Sequence, residues 1–227
     1  MGSPLIIALK YMNIIYQDEF IIIINKPPGT PVQTDKTKDT SLMEQIQTEL
    51  GQPMYLVHRL DRPVSGLIVF ALNSLVANDL SQKFKEGKIK KIYHAVVGNR
   101  PEKDADTLTH YLRKDAKQNR SFAFNKNLHH TQKAELKYRL INSIERYHLL
   151  EVELLTGRHH QIRAQLAAIN SPVKGDVKYG FRRGNRDRSI HLHAAELTFA
   201  HPHTQEVMHF IAPPPEDNVW KAFADKK

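Results

Sequence analysis

The densest polar cluster in the sequence covers residues 58–66 and is centred on Asp61, which is flanked by Arg59 and Arg62. Two neighbouring guanidinium groups would keep the Asp61 carboxylate ionised, and an ionised carboxylate can act as a nucleophile or as a base. The cluster leads directly into the continuous apolar run 67–72, and a loop that feeds a core strand holds reactive groups rigidly. Composition alone favours the plainer interpretation, an ordinary turn with local ion pairs.

A second polar cluster covers residues 156–163. Its spacing places His159 and Arg163 four residues apart on one face of a predicted helix. The same helix has an apolar stripe that consists of Ile162, Leu166 and Ile169. A cation beside that stripe can reach over the edge of the core toward a carboxylate from another segment. The alternative is a basic helix face in contact with solvent.

Histidine pairs provide a third candidate for chemistry. The sequence has 13 histidines, among them the pairs His191 and His193, and His201 and His203. Residues two apart on a strand share a face, so each pair has a spacing that can chelate zinc. A complete site would need further ligands, and histidines of strands and turns more often have structural roles. A metal-dependent hydrolase is therefore an alternative function.

Composition excludes several classes of protein. The chain has 227 residues, no cysteine and a formal net charge of +9, with a pI of about 9.6. The absence of cysteine rules out disulfides, thiolate metal sites and a cysteine nucleophile. The positive charge favours a polyanionic partner such as nucleic acid. Because no apolar stretch approaches the roughly 20 residues that span a bilayer, we expect a cytoplasmic protein that does not bind a membrane.

Local sequence signals predict the elements that position the clusters. A β-branched run at 21–24 predicts a strand that ends in the rigid turn 25–29. The spacing of Ser41 and Glu44 is that of a capping box, which predicts a helix that ends at Gly51. Further signals predict a short strand at 54–57, a buried strand at 67–72, a helix from Ser74 to Gly87 and a strand at 89–97.

The second half of the sequence alternates apolar and charged residues, as strands with one solvated face do. Residues 134–140 and 150–154 predict an antiparallel pair joined by a polar loop around Asn142–Ser143. Residues 196–200 and 207–211 predict a final hairpin. Short strands with interspersed helices favour an α+β fold with a mixed, largely antiparallel β-sheet core and flanking helices.

The domain organisation is expected to be simple, because the sequence contains no internal repeat and no low-complexity tract. We expect a single catalytic domain over residues 13–227. A polar, basic segment around residues 100–130 is interpreted as an insertion at its surface. Residues 1–12 are interpreted as an N-terminal extension, in part a remnant of expression.

Five segments form an ordered set of motifs between about residue 13 and residue 212. The second of them is His58-Arg59-Leu60-Asp61, followed after three residues by Ser65-Gly66. The other four are Asp18-Glu19 through Asn25-Lys26-Pro27, Lys91-x-Tyr93-x-Ala95-x-Val97-Gly98, Thr156-Gly157-Arg158-x-His160-Gln161-Ile162-Arg163, and His193-Ala194 through His201-Pro202. In this order they resemble the motifs of the RluA-type pseudouridine synthases. Val64 departs from the threonine that is usual in the family, so we assign it no role.

The resemblance implies a pseudouridine synthase-like fold and the isomerisation of specific uridines in structured RNA, either rRNA or tRNA, to pseudouridine. The reaction replaces the N1–C1′ bond by a C5–C1′ bond without gain or loss of atoms, so it implies no redox cofactor, nucleotide or metal. Because a stacked base has no room to turn, the nucleotide must first be flipped out. The sequence resembles the short family members, which lack an S4-like RNA-binding domain, and we expect a monomer.

The resemblance also implies roles for individual residues. Asp61 corresponds to the nucleophile, which attacks either the ribose at C1′ or the base. Arg163 corresponds to the arginine that pairs with this aspartate, and Tyr93 to the tyrosine that stacks on the uracil. Arg59 corresponds to the residue that enters the space left by the flipped base. Further expected contacts to RNA are Arg62, Arg158, His160 and Lys26.

Each of these assignments has an alternative. Tyr93 is also typical of an aromatic residue in a strand core, and Arg59 of a surface contact to a phosphate. Lys26 and Arg158 can instead contact neighbouring loops. A protein that binds or assembles RNA without catalysis would keep the fold and the basic surface, but it would not need the three catalytic residues together. Contacts to RNA phosphates are predicted for the basic stretches 83–91, 113–126 and 182–188.

Overall fold

The computed structural model describes residues 13–34 and 37–224. The predicted N-terminal extension, residues 1–12, lies outside this range. The chain divides into two compact units. The first unit consists of the described residues up to Ile89 together with Ala194–Pro214, and the second consists of Lys90–His193 and the described residues from Pro215 onward.

Strands outnumber helices among the described residues. The strands are β1 (Ile14–Gln17), β2 (Ile21–Lys26), β3 (Tyr55–Leu56), β4 (Ser65–Ala71), β5 (Lys90–Val97), β6 (Ala105–Asp115), β7 (Arg120–Phe124), β8 (Gln132–Ile144), β9 (Tyr147–Leu154), β10 (Leu192–Ala200) and β11 (Val207–Ile211). The helices are α1 (Leu42–Leu50), α2 (Ser74–Lys85), α3 (Gln161–Ala168) and α4 (Asn218–Ala224), with a 3₁₀ turn at Val177–Tyr179. Within the described ranges, no helix combines the length and the apolar character that crossing a membrane requires.

The first unit contains a sheet with the strand order β1, β2, β4, β10, in which β3 also pairs with β4 and β11 with β10. β2 and β4 are antiparallel, with Ile21 opposite Ala71 and Lys26 opposite Gly66. Every residue of β4 is buried, as a continuous apolar run requires. The core of the unit joins the sheet to α2 and includes Ile21, Ile23, Leu67, Val69, Leu80, Leu197 and Phe199.

Gly66 permits the close approach of β4 and β10. Its φ of +113° is a backbone conformation that L side chains rarely adopt, and a Cβ at this position would lie 2.3 Å from the carbonyl oxygen of Ala194. Gly66 is also the last residue of the polar cluster around Asp61. This steric requirement therefore determines where the Asp61 loop enters the sheet.

The second unit contains an antiparallel sheet with the strand order β5, β9, β8, β6, β7. Helix α3 packs on β6 and β7. Trp220 and Phe223 of α4 pack against Val96 and Leu149. The strand pairing and the flanking helices of the two units confirm the predicted α+β fold with a largely antiparallel sheet.

The helix starts follow local capping rules. In α1, the Oγ of Ser41 accepts a hydrogen bond from the N–H of Glu44 (3.2 Å), and the Glu44 carboxylate accepts one from the N–H of Ser41 (2.8 Å). The predicted capping box is therefore confirmed. Helix α2 is capped by Asn73 rather than by Ser74, because the Asn73 side chain accepts a hydrogen bond from the N–H of Val76 (2.9 Å).

The connection between β8 and β9 lies later in the chain than the sequence predicts. Asn142–Ser143 belongs to β8, and the connection is the short segment between Ile144 and Tyr147. A β-bulge between Leu140 and Asn142 shifts the register of the pair. The predicted loop around Asn142–Ser143 is therefore wrong. The bulge interrupts the alternation of apolar and polar residues, but Asn142 and Ser143 after it remain paired with β9.

Residues 100–130 also differ from the expected surface insertion. They contain β6 and β7, and β6 pairs with β8 inside the sheet. Alternate residues of β6, namely Leu108, His110 and Leu112, are buried. The polar composition of this segment therefore reflects strands with one solvated face rather than an irregular segment.

Candidate active site

A buried lysine connects the turn after β2 to the Asp61 loop. Lys26 is 0% exposed, and its Nζ donates hydrogen bonds to the backbone oxygens of Pro27 (2.8 Å), Thr30 (3.0 Å) and Arg62 (3.2 Å). Burial lowers the pKa of Lys26 to about 7, and the negative charge of Asp61 opposes this shift. A fully buried amine offers no direct contact to RNA. Lys26 binds the neighbouring loops, the second of its two expected roles.

Arg62 makes further contacts that hold the loop in place. The N–H of Gly29 donates to the Arg62 carbonyl oxygen (2.8 Å), and the Nε of Arg62 donates to the Gly29 carbonyl oxygen (2.8 Å). The Arg62 guanidinium also donates to Thr37 Oγ1 (2.9 Å) and forms an ion pair with Asp39. Its side chain is therefore bonded to the segment that follows β2.

The loop presents Asp61 and Arg59 differently. Asp61 is half-buried and Arg59 is exposed. At the start of the loop, the Nε2 of His58 accepts a hydrogen bond from the N–H of Val69 (3.0 Å), so this nitrogen bears no proton. The His58 ring also stacks on Phe84 at 4.3 Å between ring centres. These contacts attach the loop to β4 and α2 and leave Arg59 in solvent.

Lys26→Met is expected to destabilise the protein by about 2 to 4 kcal/mol, because three carbonyl oxygens lose a buried charged donor. The Asp61 loop loses one of its attachments at the same time, so activity should fall as well. Urea unfolding followed by circular dichroism measures the first effect. The exposed Lys88, which forms an ion pair with Glu86, provides the control Lys88→Met, for which no measurable change is expected. Equal stability of the wild type and Lys26→Met would contradict the anchoring role.

In the second unit, the second polar cluster forms the start of α3. The side-chain oxygen of Gln161 accepts hydrogen bonds from Thr156 Oγ1 (2.8 Å) and from the N–H of Arg158 (2.9 Å). The side-chain nitrogen of Gln161 donates to the backbone oxygen of Glu135 (3.0 Å). Before the helix, His160 has a left-handed φ of 52°. These bonds attach the start of the helix to β8.

His159 and Arg158 precede the helix. Because α3 begins two residues after His159, the predicted helical alignment of His159 with Arg163 is wrong. The Nδ1 of His159 lies 2.9 Å from Ser121 Oγ, and its Nε2 lies 3.2 Å from Asn119 Oδ1. Arg158 is exposed, and its Nε donates to a backbone oxygen of β8 (3.0 Å).

Arg163 is a buried cation with a carboxylate partner. It is 5% exposed, and Asp176 is 2% exposed. The Nε of Arg163 donates to Asp176 Oδ2 (2.6 Å), and its Nη2 donates to Asp176 Oδ1 (2.9 Å). The guanidinium carbon lies 5.0 Å from the centre of the Tyr179 ring. Asp176 thus holds one edge of the guanidinium, and the Tyr179 ring holds one face. Because Arg163 is buried, the alternative interpretation of this helix face as basic and in contact with solvent is wrong.

Asp176 and Tyr179 are residues that the sequence analysis missed. Both belong to the segment around the 3₁₀ turn, so a single turn supplies the carboxylate and the ring that hold Arg163. The Tyr179 hydroxyl accepts a hydrogen bond from the N–H of Ser121 (2.8 Å) and lies 3.1 Å from His160 Nδ1. The only sequence signal for the carboxylate was the position of Asp176, an acidic residue between Lys174 and Lys178.

Tyr93, the third expected catalytic residue, is part of the second unit as well. It lies in β5, opposite Val152 of β9, and is 8% exposed. The nearby Lys91 is also buried, and burial lowers its pKa. Tyr93 therefore presents a largely enclosed ring on β5.

The histidine pairs are engaged in structural contacts. The Nε2 of His201 lies 2.8 Å from the Asp18 carboxylate. Its Nδ1 accepts from the N–H groups of His203 (3.3 Å) and Thr204 (3.1 Å), and His203 stacks on Phe20. These bonds occupy both ring nitrogens of His201.

The other histidine pair is enclosed in the second unit. The Nε2 of His191 lies 3.0 Å from the Asp217 carboxylate, and the rings of His191 and His193 lie close to Trp220. Burial lowers the pKa of His191 to about 4. Across residues 13–34 and 37–224, no three histidine, aspartate or glutamate side chains are grouped so that they could hold a metal ion. The zinc site considered from the sequence is not found there.

Comparison with known proteins identifies the family. The sequence profile of the family described as RNA pseudouridylate synthase matches residues 20–168, well over half of the chain. The chain belongs to this family. The predicted membership of the RluA-type pseudouridine synthases is confirmed. The synthase isomerises uridine in RNA to pseudouridine, which excludes the alternatives of a non-catalytic module and of a metal-dependent hydrolase.

Curated relatives cover nearly the whole synthase. A tRNA pseudouridine synthase C of Vibrio cholerae serotype O1 is 33% identical over 231 residues, which cover 92% of this chain and 93% of the relative. A tRNA pseudouridine synthase C of Yersinia pestis is 36% identical over 221 residues, which cover 88% and 86%. Both relatives match the synthase over most of their own length.

Solved structures share the fold of the synthase. Human RNA Pseudouridylate Synthase Domain Containing 1 matches with a TM-score of 0.77 and 23% identity, over 98% of this chain and 89% of that chain. Human RNA Pseudouridylate Synthase Domain Containing 4 matches with a TM-score of 0.76 and 22% identity, over 95% and 94%. These likenesses agree with the α+β architecture described above.

Proposed function

We propose that this synthase modifies tRNA. The observation that supports the proposal is the name of its relatives: those of Vibrio cholerae and Yersinia pestis are called tRNA pseudouridine synthase C and match over most of both chains. We also propose that the protein acts as a monomer in the cytoplasm, where its substrate is found. It uses no cofactor, because its own carboxylate, guanidinium and phenol groups supply the chemistry.

The proposed reaction begins with a flipped uridine. Extrusion from the RNA gives the base the room to turn that a stacked base lacks. Asp61 attacks either C1′ of the ribose or the base, and the N1–C1′ bond breaks. The uracil turns, C5 bonds to C1′, and the bond between the Asp61 carboxylate and the nucleoside breaks, which frees the carboxylate. The proton then leaves C5, and the product has a proton at N1, so that no atom is gained or lost.

Three residues have proposed roles in this reaction. Asp61 is the nucleophile, Arg163 pairs with it, and Tyr93 stacks on the uracil. Support comes from the family motifs and from the rigid attachment of each residue within its own unit. The Asp61 loop is anchored by Lys26, and Arg163 is held by Asp176. Preorganised groups of this kind lower the cost of reaching the transition state.

The proposed RNA contacts differ in their surroundings. Arg59 and Arg158 are exposed and His160 is half-buried, so these three residues are proposed to contact RNA, Arg59 in the space left by the flipped base. Arg62 is bonded to Gly29, Thr37 and Asp39. We propose that it supports the Asp61 loop as well as facing RNA.

Mapping pseudouridines in a strain that lacks the gene for this protein tests the proposed substrate. We expect loss of pseudouridine at one or a few tRNA positions and no loss from rRNA. Purified wild-type protein should restore the lost pseudouridine in tRNA isolated from that strain. The matched control is Asp61→Asn, which should not restore it. Loss confined to rRNA would contradict the tRNA proposal and leave the enzymatic activity in place.

A further inference from the structure

The arginine loop, which we define as residues 182–188 of the second unit, has an unusual concentration of exposed positive charge. It contains four arginines, and all of them are exposed: Arg182, Arg183, Arg186 and Arg188. Within residues 13–34 and 37–224, none of these four guanidinium groups forms a hydrogen bond or an ion pair. Their charge is therefore not compensated by the part of the protein that the structure describes.

Several other exposed cations of the second unit have carboxylate partners. Arg100 lies 2.6 Å from Asp104, and Lys103 lies 2.9 Å from Asp106. Arg139 makes a bidentate pair with its partner Glu151, with distances of 2.6 and 2.7 Å. The four arginines of the loop differ from these cations, because they have no acidic partner among the described residues.

Three of the five lysines in the basic stretch 83–91 are paired or buried. Lys83 lies 2.7 Å from Asp79, and Lys88 lies 2.7 Å from Glu86. Lys91 is buried. Lys85 and Lys90 are exposed without a carboxylate partner among the described residues, as are all four arginines of the loop, so the arginine loop has the larger number of unpaired charges.

The single acidic residue of the loop does not neutralise the arginines. The Oδ1 of Asp187 accepts hydrogen bonds from the backbone N–H (3.0 Å) and the Oγ (2.7 Å) of Ser189. The Asp187 carboxylate therefore binds Ser189, just after the loop, and forms no ion pair with the arginines. Four like charges within seven residues repel one another, and this arrangement is better suited to a polyanionic ligand than to the stability of the free protein.

The middle of the loop is held in place by Asn185. Its Oδ1 accepts a hydrogen bond from Lys174 Nζ (2.9 Å), and its Nδ2 donates to Ser189 Oγ (3.1 Å) and lies 3.1 Å from His191 Nδ1. The packing is tight, because a Cβ at Gly175 would lie 2.9 Å from Asn185 Nδ2. The loop is thus ordered around its centre while its arginines extend into solvent.

The start of the loop is also fixed. The N–H of Phe181 donates to the backbone oxygen of Asp176 (3.1 Å). The Phe181 ring packs so closely on Gly98 that a Cβ there would lie 2.7 Å from it. Ordering the backbone before the ligand arrives reduces the entropy that binding must overcome.

We propose that the arginine loop binds the phosphate backbone of the RNA that the synthase modifies, and that it contributes to affinity rather than to the chemical step. Guanidinium groups suit phosphate because their planar donors bind two oxygens at once. Contacts to phosphates position RNA without reading its sequence. The proposal rests on the proposed function, because it takes the tRNA substrate as the ligand.

The test is the triple variant Arg182→Gln, Arg183→Gln, Arg186→Gln. Its probe is the unmodified transcript of a tRNA that loses pseudouridine in the deletion strain. Filter binding over a range of salt concentrations should give a Kd at least about tenfold weaker, with a salt slope smaller by about 2, because each phosphate contact contributes about 0.7 to 0.9 to the slope. The single-turnover rate at saturating enzyme should remain that of the wild type.

A matched control removes the same charge from paired cations of the same unit. The variant Arg100→Gln, Lys103→Gln, Arg139→Gln lowers the net charge by three, like the test variant, at positions that have carboxylate partners. We expect a smaller rise in Kd and a smaller change in slope. Equal effects of the two variants would mean that binding follows net charge alone, and this result overturns the proposal.

A second variant tests the ordering of the loop. Asn185→Ala keeps all four arginines and removes their central attachment. We expect a Kd several-fold weaker than that of the wild type with an unchanged salt slope, and a wild-type Kd would overturn the role of Asn185 in ordering the loop. A lost single-turnover rate with intact binding in the arginine variant would instead place the loop in the reaction. Failure of the wild type to modify any tRNA would contradict the proposed function, whereas a wild-type Kd and salt slope of the arginine variant would contradict only this inference.

Discussion

Asp61→Asn is expected to lower the rate of pseudouridine formation by about 10⁴-fold or more, a loss typical of removing a catalytic nucleophile. Asparagine matches aspartate in shape, but it has no negative charge and is not a competent nucleophile. RNA binding should persist or tighten, because the change removes a negative charge that repels phosphates. Single-turnover release of tritium from substrate RNA with uridine tritiated at C5 measures the rate, and filter binding measures the affinity.

The matched control for this prediction is Asp79→Asn. Asp79 also lies in the first unit, and it forms an ion pair with Lys83 at 2.7 Å, but it has no proposed role in the reaction. Its variant should react at the wild-type rate. Near-normal turnover by Asp61→Asn would defeat the mechanism proposed above.

Arg163→Lys is expected to lower the single-turnover rate by about 10²-fold while the protein remains folded. Lysine keeps a positive charge beside Asp176, but it cannot make the two-point contact that orients the guanidinium. A displacement of about 1 Å at a catalytic group is enough for a loss of this size. Single-turnover kinetics and thermal unfolding should be measured together, with RNA affinity as a third measurement.

Arg163→Met separates charge from geometry. It leaves the 2% exposed Asp176 without a cation, and an uncompensated buried charge costs about 3 to 5 kcal/mol. This variant should therefore lose stability as well as rate, whereas Arg163→Lys should lose mainly rate. The control is Arg139→Lys, which alters the bidentate pair with Glu151 and should leave the rate unchanged. Full activity of a folded Arg163→Lys protein would contradict the orienting role.

The elements of the fold were predictable wherever the signal lies within a few residues of the chain. The β-branched run 21–24 predicts β2, and the Ser41–Glu44 capping box predicts α1, because a strand or a helix start depends on neighbours in sequence. The same rules failed at the bulge after Leu140. There the register depends on the partner strand rather than on the local pattern.

The sequence by itself determined the family and the order of its motifs, including the segments around Asp61 and Arg163. It did not determine how each segment is held. The amine of Lys26 binds a carbonyl 36 residues away, and Arg163 binds a carboxylate 13 residues away, in a segment without any apparent polar cluster. Only the folded chain brings such groups together, because a buried charge requires partners that no local rule specifies.

The same distinction applies to the arginine loop. Its four positive charges can be counted in the sequence, but whether each charge has a partner depends on which carboxylates the fold places beside it. The structure pairs Arg100, Lys103 and Arg139 with acidic residues and leaves the loop uncompensated among the described residues. Sequence therefore determines how much charge the protein has, and tertiary structure decides which part of that charge is available to RNA, because ion pairing depends on distance in space.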